Sequence, residues 1–136
     1  MPEVDGARPG FAPVGSVARW SYDDGCYKIC EVSQYNALTV AVFVYFAGQR
    51  SVFTHYAVQL TGGAADIEPT ADVFTLREGS VGGSDLAFYI NKTDGNKAEL
   101  YCQCKKYQYM AARLETGFSG NVMVKVDALP ATAVEV

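Results

Sequence analysis

The four cysteines come in two pairs, Cys26-x3-Cys30 and Cys102-x-Cys104, and paired thiolates are a common zinc-binding arrangement. On a strand that rises about 3.3 Å per residue, Cys26 and Cys30 lie about 13 Å apart, too far to bridge each other or chelate one ion without a sharp turn. Cys102 and Cys104 lie about 6.6 Å apart on parallel vectors, which disfavours a disulfide, and neither pair has the zinc-knuckle spacing. We predict buried free thiols and no cofactor, with cross-strand disulfides or a metal site as alternatives.

His55 is the only histidine, so any Ser-His-Asp or Cys-His chemistry would have to use it. The sequence contains no Gly-x-Ser-x-Gly elbow and no phosphate-binding loop. The acidic residues in predicted loops are expected to cap the backbone, because no calcium-binding ladder is present and a glycosidase would need two carboxylates about 5 to 10 Å apart. These loop carboxylates are Asp23, Asp24, Asp66, Glu68 and Asp72. We predict that the protein is not an enzyme.

Five aromatic residues are candidates for ligand binding, because they fall near predicted strand ends or on faces that the core does not need: Trp20, Tyr22, Tyr101, Tyr107 and Tyr109. Flat rings at such places stack on sugars or on other proteins. The alternative is that about half of them cover the flanks of the fold or a subunit interface.

The strand that must position much of this chemistry runs from Leu38 to Ala47 and is apolar on both faces. A strand with one wet face alternates apolar with polar residues, so this strand needs cover on both sides, from a facing sheet on one side and from a neighbouring subunit or a long loop on the other. It is followed by the polar turn 48–50 and a second long strand that ends at Leu60. We predict that the outward residues Phe43, Tyr45, Phe53 and His55 form a contact between copies of the chain.

Short apolar segments separated by Gly, Asp, Asn and Pro continue along the chain and predict about nine strands and no significant helix. The predicted strands are 17–20, 26–32, 38–47, 53–60, 72–77, 85–91, 97–105, 108–115 and 121–126. The prediction is an all-β, two-sheet antiparallel β-sandwich of jelly-roll type, with the loop Thr61 to Thr70 crossing between the sheets. The last two strands are predicted to form a hairpin around 117–120, in which Val122, Val124 and Val126 are buried.

The domain prediction has three parts: an extended arm or linker over residues 1–16, the sandwich over 17–127 and a tail over 128–136 that adds an edge strand or frays. A net charge of -4 argues against a nucleic-acid partner. No apolar run reaches the roughly 20 residues that span a bilayer, so we predict no membrane insertion. Residues 1–10 lack a signal-peptide core, which indicates synthesis in the cytoplasm of a host cell.

The order of six segments resembles the C-terminal β-sandwich heads of bacteriophage tail fibres and related virion appendages. These segments are Val17-Ala18-Arg19-Trp20, Tyr27-Lys28-Ile29, Leu38 to Phe46, Phe88-Tyr89-Ile90, Asn96 to Tyr101 and Gly120-Asn121-Val122. The similarity covers roughly 17–127 and lies in strand order and rhythm. It implies a virion structural protein, typically a homotrimer, that recognises a glycan or protein on the host surface and joins other virion proteins through its N-terminal arm. No binding residue is carried over, because the binding loops of such heads vary freely.

The resulting prediction is a trimeric fibre head that binds a host receptor. A capsid decoration or head-fibre protein would use the same sandwich against a capsid lattice. A carbohydrate-binding module of a secreted protein would be a monomer.

Overall fold

The computed structural model describes residues 3–4, 7–8, 17–20, 24–49, 51–116 and 123–136, with side chains described for 24–49, 51–115 and 123–136. Its strands are β1 (Glu3–Val4), β2 (Ala7–Arg8), β3 (Val17–Trp20), β4 (Gly25–Val32), β5 (Ala37–Phe46), β6 (Phe53–Thr61), β7 (Thr70–Glu78), β8 (Ala87–Thr93), β9 (Lys97–Cys104), β10 (Gln108–Thr116), β11 (Val124–Val126) and β12 (Val134–Glu135).

Two five-stranded sheets make up the sandwich. The first sheet has the order β3-β10-β5-β6-β7 and the second has the order β11-β4-β9-β8-β12, while β1 and β2 pair only with each other. These strands all pair antiparallel, and no helix occurs in the described part of the chain. The all-β, two-sheet antiparallel sandwich is therefore confirmed, and the finer jelly-roll assignment stays a prediction. Among the described residues there is accordingly no helix long and apolar enough to cross a membrane.

The core lies between the two sheets and is built from alternate residues of the long strands. In β5 the inward residues Val40, Val42 and Val44 are fully buried, and in β9 Ala98, Leu100 and Cys102 are fully buried. Alternation places the remaining residues of each strand on the outer faces. Burial of these apolar side chains is the main force that holds the sheets together.

The predicted hairpin of the two central strands is confirmed. Strands β5 and β6 pair in unbroken register from Ala37 opposite Thr61 to Tyr45 opposite Phe53. In the connecting turn the N–H of Val52 donates to the carbonyl of Gln49 at 3.1 Å, and Gly48 takes a φ of 79° that favours glycine. Arg50, which belongs to the predicted turn, lies outside the described residues.

The loop after β6 does not cross between the sheets, so that prediction was wrong. Strands β6 and β7 are neighbours in the first sheet. The loop turns back because the N–H of Gly62 donates to Asn36 O at 2.8 Å and the N–H of Gly63 donates to Asn96 O at 2.8 Å. A Cβ on Gly62 would lie 2.0 Å from Ser33 O, so this close backbone approach requires glycine. The chain instead changes sheet after β3, β4, β7, β9 and β10.

The predicted last hairpin was also wrong, because its two strands lie in opposite sheets. Strand β10 pairs with β3 and β5, whereas β11 pairs with β4. Met123 has a φ of 59° and is fully buried, and its N–H donates to Ile29 O at 3.1 Å. Val124 consequently faces outward and is 37% exposed, contrary to its predicted burial. The predicted turn 117–120 and Val122 lie outside the described residues.

The tail adds an edge strand to the second sheet. Strand β12 pairs with β8, and the N–H of Val136 donates to Phe88 O at 2.9 Å. Of the predicted arm over 1–16, the structure describes only the pairing of β1 with β2. The domain boundaries themselves stay predictions.

Candidate functional site: an aromatic face on the first sheet

Five rings meet on the outer side of the first sheet, and we call them the aromatic face: Phe43, Tyr45, Phe53, His55 and Tyr109. Strand pairing brings them together in two rows. In one row Tyr109 of β10 is opposite Tyr45 of β5, which is opposite Phe53 of β6. In the next row Phe43 is opposite His55.

The rings of the aromatic face contact one another. The Phe43 ring centroid lies 5.4 Å from that of Tyr45, 5.9 Å from that of Phe53 and 5.6 Å from that of His55. Tyr45 and Tyr109 have centroids 5.1 Å apart. These separations lie within the range of favourable aromatic pairs. All five side chains are half-buried, so the rings cover one another and still meet solvent.

Cationic side chains border the aromatic face. Arg77 Cζ lies 5.6 Å from the centroid of Phe53, a cation–π arrangement at the β7 side. Arg113 of β10 is exposed and its Nη2 lies 3.5 Å from Glu115 Oε2. The surface therefore combines an apolar centre with a charged border, the composition of a recognition surface.

The structure brings the four residues predicted as a contact between copies into one cluster. Tyr109, predicted as a ligand-binding residue, belongs to the same cluster. Trp20, another such residue, is the backbone register partner of Tyr109 on β3, and its side chain lies outside the described residues. Tyr22 lies outside them altogether.

The other two predicted binding tyrosines are elsewhere. Tyr107 is 43% exposed in the turn between β9 and β10, and its carbonyl accepts a 2.9 Å hydrogen bond from the N–H of Ala47, which places it beyond the end of β5. Tyr101 lies on the outer side of the second sheet but is only 6% exposed, so its ring offers no open face for stacking and that prediction needs correction. Its hydroxyl donates to Glu99 Oε1 at 3.1 Å. Burial, and then this hydrogen bond, raise the pKa of Tyr101 to about 12.

Sequence reasoning missed a polar network around Glu99 on the second sheet. Glu99 accepts hydrogen bonds from Asn91 Nδ2 at 2.8 Å and from Tyr101, and Lys28 Nζ lies 2.9 Å from Glu99 Oε2. Burial alone would raise the pKa of Glu99, but these hydrogen bonds and the charge of Lys28 outweigh burial and lower the pKa. Burial alone would likewise lower the pKa of Lys28, and its hydrogen bonds to Glu31 and Glu99 raise it instead. The sequence offered no signal for this network, because its members come from β4, β8 and β9 and meet only through the strand order of the second sheet.

An open groove of about 610 Å³ lies at one end of the second sheet. Its lining includes Asp24, Asp85, Asp127 and Glu135 together with Lys105. As predicted for the loop carboxylates, Asp24 caps the backbone, since its Oδ1 accepts from the N–H of Lys106 at 3.1 Å. Within the described residues no group of three or more His, Cys, Asp or Glu side chains is placed so that it could hold a metal ion.

The four cysteines are buried with free thiols, as predicted for small apolar side chains. A β-bulge between Lys28 and Cys30 changes the alternation of β4. Cys30 therefore faces the core, while Cys26 borders the groove and is contacted by Gln103 Nε2 at 3.7 Å from its Sγ. Burial raises the pKa of Cys30 to about 12 and also raises the pKa of Cys102.

No protein-family model matches this chain. A search of the curated proteins also gave no match. Among solved structures the chain is similar to WceF of Pantoea stewartii, described as a glycan biofilm modifying enzyme with a bacteriophage tailspike-like parallel beta-helix fold. The TM-score is 0.59 at 9% sequence identity, over 93% of this chain and 22% of WceF. The chain thus spans about a fifth of that protein, and at this identity the likeness shows only that the fold is similar over that part.

Proposed function

We propose that this chain is a non-enzymatic structural module of a virion, a bacteriophage fibre head that forms a homotrimer and recognises a glycan or protein on the host surface. The aromatic face is the contact between copies in this proposal. The predicted N-terminal arm joins the head to other virion proteins.

The observation that carries the proposal is the contiguous set of half-buried rings on the outer side of the first sheet. Scattered apolar side chains are normal on a protein surface, but a contiguous patch marks an interaction site. Tyr and Phe are also enriched in protein interfaces. A second copy, by covering Phe43 and Tyr45, would complete the burial that the apolar outer side of β5 requires.

Two further points support a virion role. The chain resembles fibre heads in strand order, and such heads are typically trimers. WceF, which shares the fold over a fifth of its length, is described as tailspike-like and as glycan-modifying. At 9% identity those words describe WceF alone, and they support the proposal only by pointing to phage proteins and glycans.

The oligomer is tested by multi-angle light scattering on the purified chain. The wild type should have about three times the chain mass of 14.7 kDa. Phe43→Lys places a charge in the centre of the aromatic face and should give a monomer. Tyr89→Lys is the matched control, because Tyr89 is also a half-buried outward aromatic residue but lies on the second sheet. A wild-type mass of one chain would refute the trimer.

Receptor recognition is tested by a glycan array and by binding to whole host-type cells. Tyr107, exposed beyond the end of the aromatic face, is available for stacking in the assembled trimer, so Tyr107→Ala should weaken binding without changing the mass. Wild-type trimer that binds neither glycans nor cells would contradict the receptor role.

A carbohydrate-binding module is the second candidate, because the half-buried rings of the aromatic face lie side by side and meet solvent. Rings arranged in this way stack on sugars. In that case the chain is monomeric, and Phe43→Lys abolishes glycan binding while the mass stays at one chain.

A further inference from the structure

Strand β7 is an open edge of the first sheet. Among the described strands it pairs only with β6, so one side of its backbone is not used in the sheet. The strand is nine residues long and contains no Pro or Lys, residues that commonly block pairing at sheet edges. Phe74 and Leu76 on this strand are 52% and 59% exposed. A long edge strand that exposes two large apolar side chains is able to pair with another strand, provided that its charged residues find partners there.

A β-bulge gives this edge an unusual symmetry. Asp72 is opposite Gln59 of β6, Phe74 is opposite Ala57, and Arg77 is opposite His55, while Leu76 has no register partner. Because 55, 57 and 59 alternate along β6, Asp72, Phe74 and Arg77 all lie on the outer side of the sheet. The extra residue therefore brings Arg77 to the same distance from Phe74 as Asp72 on the other side, about 7 Å in each direction.

We propose that a second copy of the chain pairs antiparallel with this edge, β7 against β7, about a twofold axis at Phe74. The two Phe74 side chains then lie next to each other on the outer side. Asp72 of each copy lies opposite Arg77 of the other copy, so the contact contains two ion pairs, each between an acidic and a basic side chain. The first sheet of one copy and the first sheet of the other copy then form one continuous sheet of ten strands.

The charges on β7 favour a second copy over an unrelated strand. A twofold contact uses the same patch on both partners, so the patch must be complementary to itself. An acidic and a basic residue at equal distances on either side of an apolar centre meet this condition. Neither Asp72 nor Arg77 takes part in the ion pairs found among the described residues, so both charges are available for such a contact.

This contact is separate from the proposed function. It uses the edge of the first sheet, whereas the proposed trimer uses the aromatic face. Arg77, which lies over the Phe53 ring, borders both surfaces, so Phe74→Lys and Asp72→Arg are the variants that distinguish the two contacts. If both contacts form, trimers associate further in pairs, and if only the edge contact forms, the chain is a dimer.

The test is sedimentation velocity over a range of concentrations with five variants of the full chain. Asp72→Arg and Arg77→Asp should each raise the dissociation constant of the twofold association by about tenfold or more, because each places like charges at both ion-pair positions. Phe74→Lys should have an effect of the same size, because it places two lysines next to each other at the twofold axis. The double variant Asp72→Arg/Arg77→Asp restores opposite charges and should recover the wild-type constant within about threefold. Val134→Lys, an exposed apolar residue on the edge strand of the other sheet, should change nothing.

Failure of this proposal is distinct from failure of the proposed function. A wild-type chain whose association is insensitive to Phe74→Lys overturns the edge contact, and so does a double variant that associates no better than the single charge variants. If Phe43→Lys is the only variant that loses association, the proposed trimer is supported and the proposed edge contact is refuted. Thermal melting of each variant separates loss of association from loss of folding.

Discussion

Tyr45 and Tyr109 lie opposite each other on β5 and β10, and their ring centroids are 5.1 Å apart with the planes inclined by 31°. The pair joins two sets of residues that the sequence kept separate, because Tyr45 was predicted at a contact between copies and Tyr109 at a ligand site. Their contact makes Tyr109 part of the aromatic face, so one surface accounts for both.

A double-mutant cycle tests whether the Tyr45 and Tyr109 rings stabilise each other. Tyr45→Ala and Tyr109→Ala should each destabilise the chain, and the double variant should lose less than the sum by about 0.5 to 1.5 kcal/mol, because either single substitution already removes the ring pair. The measurement is urea unfolding of each variant at a concentration where the assembly state is constant. The control cycle combines Tyr45→Ala with Tyr89→Ala on the opposite sheet, which should be additive. Additive effects in the first cycle would show that the rings do not stabilise each other.

The network around Glu99 predicts a dependence of stability on acid pH. The pKa of Glu99 is lower in the folded chain than in the unfolded chain, so its contribution is fully present above the unfolded value of about 4.3 and is lost as the pH falls through the folded value. Glu99→Gln should therefore lower the free energy of unfolding by about 1 kcal/mol at neutral pH and by progressively less below about pH 4.

The control for this prediction is Glu135→Gln, an exposed carboxylate near the groove. Its free energy of unfolding should follow the wild type at every pH within about 0.5 kcal/mol. Urea titrations across the acid range give both curves. A Glu99→Gln deficit of constant size from neutral to acid pH would rule out the charged hydrogen bonds as its source.

The buried thiols predict an order of chemical modification. Burial raises the pKa of Cys30 to about 12 and holds that of Cys102 above its usual range, so neither forms the reactive thiolate near neutral pH. Iodoacetamide should leave both unmodified in the folded chain and should react first at Cys26, which borders the groove. Peptide mass spectrometry locates the label, and unfolding in urea should make all four react. Rapid labelling of Cys102 in the folded chain would contradict its burial.

Periodicity was sufficient to predict the strands and the sandwich, because burial sets the alternation within a strand. It predicted the inward row Val40, Val42 and Val44 and the core face of β9 correctly. It also identified the outward residues of β5 and β6 in the aromatic face. Residues two apart along a strand share one face, and residues opposite each other in a hairpin are neighbours on that face. The connection between distant strands was not predictable in this way, because nothing in β10 or β11 specifies the sheet it joins.

Two local features defeated the alternation rule. The bulge at Ile29 changes the face of the residues after it, and the positive φ of Met123 turns that side chain inward and Val124 outward. Both depend on backbone conformations that the side-chain pattern does not encode. The network around Glu99 was missed for another reason, because its members come from β4, β8 and β9, and their proximity depends on the strand order of the second sheet.

The positive φ of Tyr35 leads us to predict a stabilising substitution at that residue. It has a φ of 67° in the turn before β5, a backbone conformation that costs about 1 to 2 kcal/mol for residues other than glycine. Its side chain is 70% exposed and therefore contributes little burial to stability. Its backbone N–H donates to Gly63 O at 2.9 Å, and this bond holds the conformation in place whatever the side chain. Tyr35→Gly should raise the free energy of unfolding by about 0.5 kcal/mol, because the greater freedom of glycine in the unfolded chain offsets part of the gain. Ala37→Gly, two residues on in β5, should lower it by about 0.5 to 1 kcal/mol. Urea unfolding of the two variants side by side decides the matter, and a loss of stability in both would show that Tyr35 is not strained.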